Sequence, residues 1–224
     1  MRYIGKGAWK GKSVLMLRWI AVLMMFLAGL PARAQDDEFT HYVMALSWNA
    51  SWCEIEGDTR KADQCDPKHD LGFTLHGLWP QGERGWPEFC RTTERDPSRS
   101  MTSRMADIMG SGGLAWHQWK KHGRCTGLSA GEYFKLSRDA YGMINRPELL
   151  RKVDKRLRVP PDVIEKAFLE ANEGMKANQL AVTCRDGYVQ EVRICLTKGL
   201  VPRACSPRTE RGCRAKSAVL PPIR

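Results

Sequence analysis

The sequence predicts an α+β fold with a central antiparallel β-sheet, flanking helices and stabilising disulfides. Segments that alternate apolar and polar residues, as half-buried strands do, lie near both ends of the chain beyond residue 35, with helical patterns between them. All 8 cysteines follow an N-terminal segment typical of export, and an even number in an exported chain indicates disulfides. With 27% charged and 42% hydrophobic residues, the composition excludes a wholly disordered chain or a fibre.

Residues 1–34 are predicted to be a signal peptide. The segment carries basic residues and no acidic one, contains an apolar run at 19–30, and ends in Ala-Arg-Ala at 32–34. The apolar run is shorter than the roughly 20 residues that a membrane span needs. A retained anchor that extends through residues 14–17 is the alternative. We therefore expect residues 35–224 to be one exported domain, periplasmic or extracellular, without a further membrane segment.

The net charge of the predicted mature chain is small. The full sequence has 36 basic and 25 acidic residues, and six of the basic ones lie in the signal segment, which leaves a net charge of +5. A mildly basic protein is compatible with a polyanionic partner but does not require one.

The first part of the mature chain is predicted to contain two strands separated by a loop. Residues 39–48 carry large apolar side chains at even positions, which would share one buried face. Residues 49–70 are polar and are predicted to form a loop. A second strand is predicted at 71–78, followed by a long loop at 80–100 that is rich in proline and glycine.

Five helices are predicted in the middle of the chain, at residues 101–109, 114–122, 129–144, 147–157 and 161–172. Ser129 and Glu132 have the spacing of a capping box, which marks the start of the third helix. A β-hairpin with strands near 180–184 and 188–196 follows, since Asp186-Gly187 is a strong turn signal between apolar segments. The tail after Cys205 shows no clear pattern.

Residues 73–80, Phe-Thr-Leu-His-Gly-Leu-Trp-Pro, form the first of two segments that concentrate polar groups. Strand alternation would place Thr74 and His76 on the face opposite the two neighbouring apolar side chains. Gly77 would allow a ligand to approach the backbone closely. A lone histidine in a strand is more often structural than catalytic, so this segment alone does not establish a site.

Residues 116–123, Trp-His-Gln-Trp-Lys-Lys-His-Gly, form the second segment and are predicted to be helical. At about 100° per residue, four polar side chains would share one face: His117, Gln118, Lys121 and His122. Trp116 and Trp119 would lie on the other face and pack in the core. The helix thus combines an apolar anchor with a face of imidazole, ammonium and amide groups.

No cofactor or metal is predicted at this face. His117 and His122 are five residues apart, which is poor spacing for two ligands on one helix, and no carboxylate lies near them in the sequence. The residues alone leave two interpretations open, an enzyme site and a structural helix with a solvated polar face.

The two segments together resemble the paired active-site motifs of the ribonuclease T2 family. The family's first motif, His-Gly-Leu-Trp-Pro, matches residues 76–80. Its second, His-Glu-Trp-x-Lys-His-Gly-x-Cys, matches residues 117–125 except at Gln118, where the family has glutamate. Residues 42–53 and 191–195 are also similar to the family's, so the resemblance covers nearly all of the mature chain.

The resemblance implies an α+β fold and cleavage of RNA, not DNA, through a 2′,3′-cyclic phosphate without a metal. It implies that His122 is the general base and His76 the general acid, and imidazoles with a reference pKa near 6.5 suit both tasks. Lys121 is implied to stabilise the negative charge that develops on phosphorus.

The resemblance also implies how the substrate is held. His117 would bind phosphate, and Gln118 can still donate a hydrogen bond to phosphate although it carries no charge. Trp79 would stack on a base, and stacking tolerates any base. The implied partner is single-stranded RNA, and we expect a monomer.

Eight cysteines allow 105 pairings, among which composition cannot choose. The family resemblance implies three pairs, Cys90–Cys125, Cys195–Cys205 and Cys184–Cys213, which leaves Cys53 and Cys65 to pair with each other.

Two other functions are kept as alternatives. One is a catalytically weakened relative that binds RNA or a partner protein, for which Gln118 is the support. The other is a cationic secreted toxin, for which the small net charge is weak support.

Overall fold

The computed structural model describes residues 39–83 and 85–224 of the chain. The predicted signal segment, residues 1–34, lies outside these ranges. Within them, no helix has the length and apolar character needed to cross a bilayer.

Six strands form one sheet: β1 His41–Trp48, β2 Phe73–Gln81, β3 Leu157–Val159, β4 Leu180–Arg185, β5 Tyr188–Thr197 and β6 Ala218–Leu220. Their order is β2-β1-β5-β6-β3, and β4 also pairs with β5. All pairs are antiparallel except the short parallel contact of β5 with β6. The predicted α+β fold around an antiparallel sheet is confirmed.

Eight α-helices lie in the described ranges: α1 Asn49–Trp52, α2 Arg99–Ser103, α3 Ala106–Met109, α4 Gly112–Lys121, α5 Ala130–Met143, α6 Glu148–Arg151, α7 Pro161–Ala171 and α8 Pro207–Glu210. The predicted capping box begins α5, because the Glu132 carboxylate accepts a hydrogen bond from the Ser129 backbone N–H at 2.9 Å. The predicted hairpin turn is also present. Asp186 and Gly187 both have positive φ angles, 51° and 82°, as a two-residue hairpin turn requires.

Three predictions of secondary structure were wrong. The helix predicted at 147–157 ends at Arg151 and is followed by β3, which pairs with β6 from the tail that showed no pattern. Strands of three residues are too short for alternation to reveal them. The helix predicted at 101–109 is two short helices, α2 and α3, and the segment predicted as the loop 49–70 begins with α1 and a π-helical turn at Cys53–Gly57.

The hydrophobic core lies between the sheet and the helices α4, α5 and α7. The Trp48 ring lies 4.9 Å from that of Phe73, which in turn lies 5.2 Å from the ring of Phe168 on α7. Tyr133 on α5 is also buried, and its hydroxyl donates a hydrogen bond to the Leu78 carbonyl oxygen at 3.0 Å. These contacts fix α5 and α7 against β2, the strand that carries the first polar segment.

Two β-bulges interrupt the sheet at neighbouring places. In the β1–β2 ladder, Ala45 pairs with Gly77 and Leu46 with Leu75, so His76 is an extra residue in β2. In the β4–β5 ladder, Gln190 is the extra residue in the same way. A bulge bends its strand and redirects the side chain of the extra residue. Both side chains line one cavity, so the bulges shape a common surface.

Four disulfides join the eight cysteines: Cys53–Cys65, Cys90–Cys125, Cys184–Cys213 and Cys195–Cys205. These are the pairs predicted from the sequence, and no cysteine in the described part of the chain is free. Cys90–Cys125 joins the loop after β2 to the turn that follows α4. It therefore fixes that loop against the helix with the polar face.

Loss of the Cys90–Cys125 bond is expected to destabilise the protein. Its cysteines are 35 residues apart, and for a loop of that size the chain-entropy model gives a loss of roughly 3–4 kcal/mol. The measurement is the free energy of unfolding in urea of a Cys90→Ser, Cys125→Ser double variant. The matched control removes Cys53 and Cys65, which are 12 residues apart, and should lose less. Unchanged stability of the first variant, or free thiols at Cys90 and Cys125 in the wild type, would contradict the prediction.

Candidate active site

His76 lies at the β2 bulge with about a third of its side chain exposed. Its Nδ1 donates a hydrogen bond of 2.5 Å to Oε1 of Glu191 on β5. Because Nδ1 is engaged, Nε2 is the ring nitrogen left to act on a bound molecule. The bulge and the hydrogen bond together fix the position and tautomer of this imidazole.

Glu191 is a buried carboxylate that accepts hydrogen bonds from two partners, His76 and Arg193. Its side chain is 1% exposed, and Nε of Arg193 donates a hydrogen bond of 3.0 Å to its Oε2, with Nη2 of the same guanidinium 2.9 Å from that oxygen. Burial alone would raise the pKa of Glu191. The hydrogen bond from His76 and the charges of His76 and Arg193 outweigh burial and hold that pKa below its usual value. The carboxylate is therefore ionised at neutral pH.

Helix α4 presents its polar face to the same region. Its opposite face is anchored by Trp119, which is fully buried and donates a 2.8 Å hydrogen bond to Asp96 in the long loop after β2. Trp116 was predicted to be buried as well, but it is only partly buried, and the Lys120 ammonium lies 5.8 Å from its ring. One indole is thus enough to anchor the helix.

His122 follows the last residue of α4 and is 5% exposed. Burial, followed by the positive charges of Lys121, His76 and His117, lowers the pKa of His122 to about 3. Its Nδ1 is buried and has no hydrogen-bond partner among the described residues, so no carboxylate there stabilises the protonated ring. His122 is therefore a neutral imidazole at physiological pH.

Trp79 lies close to both imidazoles. Its ring centroid is 5.2 Å from that of His76 and 5.5 Å from that of His122. Its indole N–H donates a 2.8 Å hydrogen bond to Oε1 of Gln118, whose side chain is buried. The space beside Gly77, expected from the sequence to admit a ligand, is filled by these two side chains, with which a β-carbon at Gly77 would collide. Glycine is needed here for internal packing.

His117 and Lys121 are the more accessible groups of the α4 face. His117 is exposed, and the partial burial of its ring, with the charges of Lys121 and His76, lowers its pKa. The Lys121 ammonium lies 3.5 Å from a carboxylate oxygen of Glu88, an exposed partner, and the lysine side chain itself is 33% exposed. An exposed ion pair of this kind is weak, so the lysine is free to bind another anion.

All six residues predicted from the sequence line one cavity of about 390 Å³: His76, Trp79, His117, Gln118, Lys121 and His122. A second cavity of about 650 Å³ adjoins it, and His76 and His117 line both. The two histidines thus stand at the boundary between two spaces, an arrangement that suits a substrate extending to both sides of the reacting groups.

A sequence model of the ribonuclease T2 family matches residues 39–205. The chain belongs to the ribonuclease T2 family. It is similar to a ribonuclease of Aeromonas hydrophila, with 38% identity over 128 residues, 57% of this chain and 57% of that protein. The match therefore spans just over half of that relative's length. It is also similar to a ribonuclease-like storage protein of Panax ginseng, with 28% identity over 180 residues, 64% of this chain and 71% of that protein.

Among solved structures, the chain is similar to RNase NT in complex with 5′-AMP, with a TM-score of 0.62 and 28% identity. That match covers 83% of this chain and 99% of the RNase NT chain. The fold of residues outside the two motifs is therefore also that of a T2 ribonuclease.

Two residues that contact this site were not predicted as part of it, Glu191 and Arg193. A sequence signal existed, because both are charged residues within β5, beside the buried apolar residues Val189, Val192 and Ile194. The sequence could not identify His76 as the residue with which Glu191 pairs. Glu191 and His76 are 115 positions apart, and only the register of the sheet brings them together.

Proposed function

We propose that this T2 family member is an exported endoribonuclease that cleaves single-stranded RNA to 2′,3′-cyclic phosphate ends, without a metal and with broad base preference. The observation that carries the proposal is the pair of imidazoles, His76 and His122, which flank Trp79 in one cavity with the Lys121 ammonium beside them. The mature protein would comprise residues 35–224 and act as a monomer in the periplasm or outside the cell.

His122 is the proposed general base. With a pKa of about 3 it is neutral, and able to accept a proton, at neutral and mildly acidic pH. It removes the proton of the ribose 2′-hydroxyl while the 2′-oxygen forms a bond to phosphorus. The positive charge of Lys121, which disfavours protonation of His122, also attracts the phosphate.

His76 is the proposed general acid. As the bond between phosphorus and the 5′-oxygen breaks, Nε2 delivers a proton to that oxygen, and the products are a cyclic phosphate end and a 5′-hydroxyl end. Glu191 acts as a positioning residue. It holds Nδ1 at 2.5 Å, which fixes the ring, and its negative charge balances the positive charge of a protonated imidazole.

Lys121, His117 and Gln118 are proposed to bind the reacting phosphate. Lys121 stabilises the extra negative charge that phosphorus carries in the transition state. Gln118 accepts the Trp79 hydrogen bond through Oε1, which leaves its amide N–H groups for phosphate. Trp79 is the proposed stacking surface for a base, and the Arg193 guanidinium, 5.4 Å from its ring, adds positive charge there.

No metal is needed for these steps, because proton transfer and charge stabilisation are both assigned to side chains. The buried carboxylate at the site, Glu191, is already paired with His76 and Arg193. Within the described residues, no group of three or more His, Cys, Asp or Glu side chains is arranged to hold a metal ion.

The proposal is tested by end-group analysis of a defined single-stranded RNA digested by the mature protein in excess chelator. We expect cyclic phosphate and 5′-hydroxyl ends, and intact DNA and 2′-O-methyl RNA of the same sequence, since neither carries a free 2′-hydroxyl. Loss of activity in chelator that a divalent cation restores, or cleavage of the DNA, would refute it.

A catalytically weakened member that binds RNA or a protein is the second candidate. It is favoured by Gln118 in place of the family's glutamate, and the ginseng relative is described as ribonuclease-like and as a storage protein. The same digest separates the two, because such a protein would bind the RNA without cutting it.

Gln118→Glu is expected to shift the acidic limb of the kcat/KM profile to higher pH. A carboxylate beside the Trp79–His122 pair favours the protonated form of His122 and raises its pKa above the wild-type value of about 3. The base is then inactivated by protonation at a higher pH. The Trp79 hydrogen bond survives, since a carboxylate oxygen accepts it as well. A shift of about half a unit to one unit corresponds to roughly 0.7–1.4 kcal/mol.

The matched control is Gln179→Glu, which adds the same charge at a residue that lines neither cavity. It should leave the limb in place. If a folded Gln118→Glu protein keeps the wild-type limb or shifts it downward, His122 is not the base or does not respond to residue 118.

A further inference from the structure

Phe89 is an exposed aromatic side chain beside the proposed catalytic groups. It is 57% exposed, and its ring lies 6.5 Å from the ring of His117 and 6.0 Å from the Lys121 ammonium. Both neighbours are proposed to bind the reacting phosphate. Most of the phenyl surface is therefore offered to solvent next to the phosphate site.

Two constraints hold Phe89 in this position, and its backbone is strained. Its backbone N–H donates a 2.8 Å hydrogen bond to the carbonyl oxygen of Lys121, at the end of α4. The next residue, Cys90, is joined to Cys125 by a disulfide. Its φ of 52° is in the left-handed region, which bulky side chains rarely adopt. Strain of this kind is found at functional sites, because folding alone does not favour an exposed apolar ring on a strained backbone.

The other exposed aromatic residue of this loop differs in one respect. The Arg208 guanidinium lies 4.3 Å from the Trp86 ring, so a protein cation already covers that indole. No described cation approaches the Phe89 ring as closely, since Lys121 is 6.0 Å away. The exposed Arg91, two residues further along the chain, adds positive charge to the same loop. Among the described residues, the Lys121 ammonium near the ring has only the exposed Glu88 carboxylate as its partner, an ion pair that a phosphate can displace. An open π face beside such an ammonium suits one occupant, a base of a polyanionic strand.

We propose that Phe89 is a stacking platform for an additional base of single-stranded RNA, beyond the two nucleotides that flank the scissile phosphate. The proposal rests on the proposed function for the identity of the strand. It assigns Phe89 to binding of longer substrates and gives it no part in proton transfer. Stacking on a phenyl ring does not distinguish bases, so the platform favours long RNA over short RNA regardless of sequence.

The test compares kcat/KM for a dinucleoside monophosphate with kcat/KM for hexanucleotides that extend it on the 5′ side or the 3′ side. For the wild-type protein, one of the two extensions should raise kcat/KM about tenfold, the effect of one stacked base. Phe89→Ala should lose this advantage, with a smaller change on the dinucleotide. Phe89→Tyr should keep it, and Phe89→Leu, which is apolar but has no π face, should lose most of it.

Leu149→Ala is the matched control, since Leu149 is similarly exposed, at 55%, but lies on α6 rather than in the loop that carries Phe89, and it should keep the full advantage. A second measurement, the Kd of an uncleavable 2′-O-methyl hexanucleotide, should show the same order of variants. If Phe89→Ala keeps the advantage of long substrates, or loses as much on the dinucleotide as on the hexanucleotide, the platform is refuted. If the wild-type protein cuts none of the substrates, the proposed function fails, and the Kd series alone decides whether Phe89 stacks on a base.

Discussion

His76→Ala and His122→Ala are each expected to lower kcat on RNA by at least about 100-fold, since general acid–base catalysis contributes about 10²–10⁴-fold. Neither change should unfold the protein, because four disulfides and a core elsewhere in the domain hold the fold. The measurements are kcat and the melting temperature of each variant. His69→Ala is the matched control, because His69 is paired with Asp63 and lines neither cavity. Wild-type turnover by either active-site variant would refute the assignment.

The two histidines can also be told apart. A 4-nitrophenyl ester of a nucleoside 3′-phosphate has a leaving group that departs without a proton, so it needs a general base but no general acid. His76→Ala should therefore recover most of its activity on this ester, whereas His122→Ala should remain defective. The opposite pattern would mean that the roles of the two residues are exchanged.

Glu191→Gln is expected to lower kcat on RNA by at least about tenfold. This loss is a modest part of the rate enhancement that His76 supplies as the general acid, since Glu191 only positions that residue. Glutamine has the shape of glutamate but no charge, and its amide group cannot accept hydrogen bonds from both His76 and Arg193 as the two carboxylate oxygens do. The imidazole then loses its fixed orientation and its counter-charge. The measurement is kcat on RNA and on the nitrophenyl ester, and the loss should appear only on RNA.

A double-mutant cycle separates positioning from general destabilisation. If Glu191 acts through His76, adding Glu191→Gln to His76→Ala should cost little more than His76→Ala alone. Glu54→Gln is the matched control, because Glu54 is paired with Arg156 and lines neither cavity. Additive losses in the cycle, or an equal loss on the nitrophenyl ester, would show that Glu191 does not act through the acid.

Much of the site was predictable because it is local in sequence. Three of its residues, His117, Gln118 and Lys121, lie on α4 and His122 follows directly, so helical periodicity is enough to predict that they lie together. Trp116 shows the limit of this argument, since periodicity gives the direction of a side chain but not what covers it. It was predicted to be buried and is partly exposed.

The remaining contacts of the site depend on the order in which the strands pair in the sheet. Glu191 meets His76 because β1 pairs with β2 on one side and with β5 on the other, and no local pattern specifies that order. β3 and β6 were not predicted because each has only three residues and is held in the sheet by pairing with strands that are distant in the sequence. Long-range pairing of this kind is decided by the packing of the whole domain rather than by local propensity.

The bulge at His76 changes the phase of β2. Before it the buried apolar residues are Phe73 and Leu75, at odd positions, and after it Leu78, at an even position, belongs to the same core. If His76 were deleted, the three apolar residues would fall into one continuous alternation, and β2 would match β1 residue for residue. Substitution of His76 would remove the imidazole but keep the extra residue, so β2 would stay offset against β1. Deletion of His76 would remove both the imidazole and the offset. The β1–β2 ladder can therefore do without this residue, but the buried Glu191 carboxylate would lose one of its two partners. A relative without the proposed activity would gain a more regular strand only if Glu191 changed together with the loss of His76.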